Sequence, residues 1–241
     1  MIVAGRLWMA VQYTSIHSQN QQVRREARAM ISDPAREAMN AKMSWQKLML
    51  ILAANFKPDD LVVTLTYRDE QLPRIREDAH KRLSYFVRLL RAERRSRGQP
   101  LVGVKITEGY HTGGRLHHHF IVNSTGEDFD EIRRLWGRYG DDVDFEQFGA
   151  DGAERWAKYL TKEPRIQGRR HVGDRTWTTT RNAKKPVVLP IEYVSAGENL
   201  LPPPGAIITD KTECQNSYGR FCHMMAILPA QTTEKQNSDL G

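Results

Sequence analysis

The chain has 241 residues, 36 of them Lys or Arg against 29 Asp or Glu, giving a net charge of +7 and a pI near 9.5. That length buries one main core with modest extensions, and the positive balance favours a polyanionic partner, nucleic acid first, through phosphate neutralisation and counterion release. The longest apolar run, LMLILAANF at 48–56, is far too short to span a bilayer, Arg6 interrupts the N-terminal apolar segment, and Cys214 and Cys222 make no disulfide framework, so no membrane span, no secretion signal and a reducing cytoplasm are expected.

In chain order, SDPAREAMNAKMSWQKLMLILAANF predicts a helix capped at Asp33 with Pro34 in its first turn and Met39, Met43 and Leu50 at helical spacing. LVVTLTY at 61–67 is β-branched and apolar and predicts a buried strand. After Pro73 a helix places Leu83, Phe86, Val87 and Leu90 on one face. Its other faces carry Arg74, Arg76, Lys81, Arg82, Arg88, Arg91, Arg94, Arg95 and Arg97 against only Glu77, Asp78 and Glu93, an excess that points to phosphate. PLVGVKITEGY and RLHHHFIVN predict two strands joined by the turn GYHTGG, that is, a hairpin. A helix near 127–137 is expected to bury Phe129, Ile132 and Trp136, followed by a short strand in DDVDFEQF. DGAERWAKYLTKE predicts a further helix with Ala153, Trp156, Ala157 and Leu160 on its core stripe. The region 165–185 is basic and turn-rich, with Arg165, Arg169, Arg170, Arg175, Arg181, Lys184 and Lys185 against Asp174, and Trp177 offers a surface on which an unpaired base could stack. PPP at 202–204 marks a boundary.

Strand alternation gives the histidine run its meaning. His117 and His119 share one face of the strand while His118 points to the other, so the run presents a pair of ligands and not a trio. If the hairpin pairs Glu108 with Arg115 or with His117, Glu108 joins that face as an anionic third ligand; a slip of one residue sends it to the other side. Two imidazoles and a carboxylate suit Mn²⁺, Zn²⁺ or Co²⁺ more naturally than Mg²⁺, which prefers oxygen ligands. On the helix from 151, Arg155, Tyr159 and Lys162 stand at i, i+4 and i+7. A tyrosine hydroxyl, with an ordinary pKa of about 10, needs a nearby cation to act as a nucleophile. A metal role for Cys214, Cys222 and His223 is a weaker reading.

Taken in order, LVVTLTY, TE before a hairpin, HHH flanked by apolar residues, and YLTK resemble the HUH endonucleases, specifically the rolling-circle replication initiator (Rep) proteins of bacterial plasmids and phages, over about residues 60–190. The resemblance implies an α+β fold of HUH nuclease or ferredoxin-like type. Its mainly antiparallel sheet would carry the metal histidines on a central strand facing the nucleophile helix. His117 and His119 fall on the family's two histidine positions, Glu108 on the less regular acidic one, Tyr159 on the nucleophile and Lys162 on the motif lysine; His118 departs from the usually hydrophobic middle position. The implied activity is metal-dependent nicking and rejoining of single-stranded DNA through a 5′-phosphotyrosine, with Mn²⁺ or Mg²⁺ as cofactor. Arg155, Arg169, Arg170, Trp177, Arg181, Lys184 and Lys185 would contact the DNA. The implied partners are single-stranded or hairpin origin DNA and a host helicase and polymerase, since no G-x-x-x-x-G-K-[ST] loop is present; the setting is a bacterial cytoplasm.

The expected organisation is a helical N-terminal extension over 1–59, the endonuclease domain over 60–200 and a flexible tail over 201–241. One phenol is expected to act, because Arg155 and Trp156 precede Tyr159 by one turn and Glu163 follows it, while Tyr67, Tyr85, Tyr110 and Tyr139 belong to other elements. Alternatives are a relaxase or single-strand transposase of the same superfamily, a catalytically idle origin-binding protein, and a structural zinc-binding protein.

Overall fold

The computed structural model describes residues 1–13, 33–109, 115–161, 177–195, 197–216 and 219–230. The elements are β1 (Ile2–Ala4), β2 (Leu7–Tyr13), α1 (Asp33–Asn55), β3 (Leu61–Thr66), α2 (Arg76–Ser96), β4 (Gly103–Glu108), β5 (His117–Val122), α3 (Asp128–Trp136), β6 (Val143–Gln147), α4 (Gly152–Leu160), β7 (Trp177–Thr179), β8 (Val187–Val188), β9 (Ile207–Asn216) and β10 (Gly219–Ile227). Two five-stranded sheets with antiparallel pairing make this an α+β protein, consistent with the HUH or ferredoxin-like type. Among the described residues no helix is long and apolar enough to cross a membrane.

The chain divides into two compact units, Ser32–Lys184 and a second formed by Met1–Ile31 with Lys185–Gly241. The first holds a sheet in the order β6-β3-β5-β4-β7, so the histidine strand β5 lies at its centre. Alternation gives the sheet two faces. One carries Leu61, Val63, Leu65, Phe120 and Val122, which pack with Leu83, Phe86, Val87 and Leu90 of α2 and Ile132 and Trp136 of α3. Phe86 meets Phe120 and Trp136 edge-on, with ring centroids 6.1 and 5.5 Å apart. The other face carries Thr64, His117 and His119, and α4 brings a ring against His119 there. Helix α1 packs against α4; Leu48, Leu50 and Leu52 of α1 and Trp156, Ala157 and Leu160 of α4 are buried, while the side chains of Met39 and Met43 lie outside the described residues.

Two side chains depart from expectation. Arg94 does not face phosphate: it is fully buried and ion-paired with Asp128, whose carboxylate also accepts from the backbone N–H of Thr125 at 2.7 Å. The reason is helix phase, since Arg94 continues the Val87–Leu90 stripe by one turn. Phe129 is 46 % exposed and rests on Phe145 of β6 at 4.6 Å, because Ile132, Leu135 and Trp136 occupy the inward face of α3.

The second unit holds a sheet in the order β8-β1-β2-β10-β9. Residues 1–13 are therefore strands where a helical extension was expected, and 207–227 form a hairpin where a tail was expected. The reason is long-range pairing: Leu7–Tyr13 finds its partner at Phe221–Ile227, and Trp8, Ala10, Met224 and Ala226 bury one another. Phe221 pairs with Cys214, so His223 shares the face of Cys214 while Cys222 lies on the other, buried. This alternation separates the three residues of the weaker metal reading.

Candidate metal centre and nucleophile

The β4–β5 ladder pairs Glu108 with His117 and Ile106 with His119, which places Glu108, His117 and His119 on one face. Among the described residues these three offer ligand atoms that all lie within 4.8 Å of one another. His117 Nε2 is 3.2 Å from His119 Nε2, and the two lie 3.6 and 3.3 Å from Glu108 Oε2. Ligand atoms about 2.1 Å from one ion at tetrahedral angles stand roughly 3.4 Å apart, so the spacing fits a shared cation. The far sides of the rings are held. His117 Nδ1 donates to the carbonyl of Arg115 at 2.9 Å, which leaves the Nε2 lone pair of a neutral ring aimed inward; His119 Nδ1 meets the Thr64 hydroxyl at 3.1 Å.

The carboxylate completes the fit. Burial alone would raise the Glu108 carboxyl, yet hydrogen bonds from His117 and His119 outweigh it and hold the pKa down to about 2, so the group is anionic. Its Oε1 is buried with no hydrogen-bond partner. An anionic oxygen without a donor, beside two imidazole nitrogens, is a donor set that a divalent cation satisfies. Gly109 follows at φ +88°, where a Cβ would come 2.3 Å from the Arg115 carbonyl oxygen that holds His117; only glycine closes the hairpin this tightly.

His118 points the other way and is fully buried. Its Nε2 bonds the Tyr67 hydroxyl at 2.7 Å and its Nδ1 the Thr107 hydroxyl at 2.9 Å. Burial pushes its pKa down to about 3, so it is a neutral core histidine.

Tyr159 stands on α4 where buried Trp156, Ala157 and Leu160 seat the helix. Its ring lies 5.8 Å from that of His119 and 5.7 Å from that of Trp156, and the residue is 41 % exposed. The other tyrosines of described residues are elsewhere: Tyr67 and Tyr139 pack on Trp136, and Tyr85 lies beneath Arg88 and Arg138.

The remaining expected residues scatter. Arg155 lies over the Trp156 ring at 4.8 Å and reaches the carbonyls of Gln147 and Phe148 at 3.3 and 3.4 Å, so its guanidinium is engaged within the fold. Trp177 is half-buried and pairs with Ile106, itself paired with His119, which puts Trp177 on the metal face two strands away. Arg181 and Lys184 are exposed, and Lys184 is anchored through its backbone by Asn55; Lys185 falls in the other unit. Tyr110, Lys162, Arg165, Arg169, Arg170, Asp174 and Arg175 lie outside the described residues. Sequence reasoning missed Thr64 and the Arg115 carbonyl, the groups that orient the two rings; the threonine's place in the alternating LVVTLT was the available signal.

A histidine pair on the central strand of an α+β sheet, a carboxylate on the neighbouring strand and a helix tyrosine beside them define the HUH class of protein. Residues 60–164 match the family model for replication-associated protein ORF2, so this segment belongs to a rolling-circle replication initiator family, consistent with a Rep protein of the HUH superfamily. It contains Glu108, His117, His119 and Tyr159. No curated protein and no solved structure matches the chain significantly.

Proposed function

We propose that the protein is a metal-dependent single-strand DNA nickase and strand transferase that starts rolling-circle replication at a single-stranded or hairpin origin. The observation that carries this reading is Tyr159 standing with its ring 5.8 Å from metal-facing His119. A divalent ion, Mn²⁺ or Mg²⁺, on Glu108, His117 and His119 supplies a Lewis acid for the charge that develops on the scissile phosphate. The Tyr159 oxygen attacks phosphorus in line, a Tyr–O–P bond forms as the P–O3′ bond breaks, and the phenolic proton leaves as the departing 3′-oxygen becomes a hydroxyl. The phosphotyrosine conserves the ester, so a later 3′-hydroxyl reverses the attack and rejoins the strand without ATP. Thr64 and the Arg115 carbonyl keep the two imidazoles aimed inward. Lys162 assists by charge, as the resemblance implies. Arg181, Lys184 and Trp177 flank the metal face and guide the strand together with Arg155, Arg169, Arg170 and Lys185, with a Trp177 stack worth about 1–3 kcal/mol. The free 3′-end is handed to a host helicase and polymerase.

Incubating labelled single-stranded origin DNA with the protein and Mn²⁺ tests this. Label should become covalently attached to Tyr159, chelation should stop the reaction, and Tyr159→Phe should form no adduct while binding DNA and Mn²⁺ within about twofold of the parent. Lys162→Ala should slow the cut without eliminating it. An adduct mapped to another residue, or one that persists in Tyr159→Phe, overturns the assignment; DNA retained only under native conditions identifies an origin-binding protein without chemistry.

A further inference from the structure

The basic helix α2 packs on the Phe120 face of the sheet, opposite the face that carries Glu108, His117 and His119. Its cations therefore lie on the far side of the sheet from the strand bound at that centre. They are ordered on one line: Lys81, Ser84, Arg88, Arg91 and Arg95 are all exposed and fall at i, i+3, i+7, i+10 and i+14. Such a stripe runs along one helix face for about 21 Å, with neighbours one turn apart.

The acidic side chains nearby are largely committed elsewhere. Glu93 is ion-paired with Arg134, Glu131 with Arg97, and Asp78 approaches only Lys81, at 3.4 Å. Among the described residues Arg91 and Arg95 have no carboxylate partner. Across the groove to α3, Tyr85 carries Arg88 at 4.8 Å and Arg138 at 5.1 Å from its ring centre, and Arg138 also lies 5.8 Å from the ring of Tyr139. Two guanidiniums already lie on Tyr85, so a base would have to displace one to stack there. A phosphate needs no displacement, since the planar forks keep N–H edges free for its oxygens. Behind the stripe, Lys105 of β4 shares the Phe120 face, half-buried, and burial together with the charge of Arg91 lowers its pKa, as expected of a positive group that meets positive neighbours.

We propose that the Arg88–Arg91–Arg95 stripe of α2, extended by Arg138, is a second DNA-binding surface that takes the phosphodiester backbone of DNA flanking the nicked strand. It reads no base, and its contribution is electrostatic and steeply dependent on salt. The inference rests on the reading of the protein as one that acts on DNA, but not on Tyr159 chemistry.

The test uses the full chain with Arg88→Gln and Arg138→Gln combined, and the same pair changed to Lys. Affinity is measured against salt for a short duplex of arbitrary sequence and for oligo(dT). Loss of two phosphate contacts should lower the log–log slope by about 1.8 on duplex and about 1.4 on single strand, and the arm that responds identifies the form of DNA held. The Lys pair, which keeps the charge, should retain the parent slope. Cleavage of a short single-stranded origin oligonucleotide should be unchanged in both variants. A parent slope in the Gln pair on both DNAs, or an equal loss in the Lys pair, overturns the proposal. A Tyr159→Phe protein that still forms an adduct would instead defeat the nickase assignment and leave this surface standing.

Discussion

His118 is bonded through both ring nitrogens, to Tyr67 and Thr107, on the face opposite the metal residues. His118→Ala should therefore cost about 1–3 kcal/mol by leaving two buried hydroxyls unpaired, measured by urea unfolding, while Mn²⁺ affinity measured by calorimetry stays close to that of the parent. His119→Ala should do the reverse. If folded His118→Ala loses metal as His119→Ala does, the division of faces is wrong. Thr64→Val removes the group bonded to His119 and should weaken Mn²⁺ binding about 10–100-fold. The division between the outer and middle histidines was legible because a strand's period is two and needs no partner. The place of Glu108 was legible only as two alternatives, since register belongs to the pairing and not to either strand alone; His117 proved to be its partner. Thr64 lies 55 residues from His119, a separation at which sequence spacing says nothing about contact.

At the scale of elements, α2 and α3 are tied by the buried Arg94–Asp128 pair. Asp128→Ala leaves a guanidinium buried without its counter-charge and should destabilise the fold by about 3–5 kcal/mol in chemical denaturation. Burial alone would raise the Asp128 carboxyl, but hydrogen bonds from Thr125 and the charge of Arg94 more than offset it, and the pKa lies below the ordinary value. A depressed carboxyl contributes stability that is fully present above its unfolded pKa and is lost as pH falls through the folded one. Acid unfolding of the parent should thus show an unfolding free energy that declines below the ordinary aspartate range, and Asp128→Ala should flatten that decline. The existence and type of α2, α3 and α4 were legible from their apolar period. The role of each arginine was less so, because a run of like charges hides the one that falls in phase with the core; Arg94, four residues after Leu90, carried that signal.

For the molecule as a whole, composition and motif order were enough to anticipate the Ser32–Lys184 unit, because its hairpin and its chemistry lie close together in sequence. The other unit escaped, since nothing local in LWMAVQY announces a partner at FCHMMAI. Deleting residues 201–241 should accordingly abolish amide-exchange protection in β2 while leaving Mn²⁺ affinity unchanged, because Glu108, His117 and His119 belong to the unit that keeps its strands. The same pairing of chain ends sets an order of events during synthesis. Tyr13 and the strand it closes must wait for Phe221 to emerge. At ordinary ribosomal rates the intervening chain takes roughly 10–40 s to make. For that interval the nascent N-terminus offers an open hydrogen-bonding edge with Trp8 and Met9 on it, the kind of edge that joins other chains, so a slowed ribosome should raise the aggregated fraction of this protein.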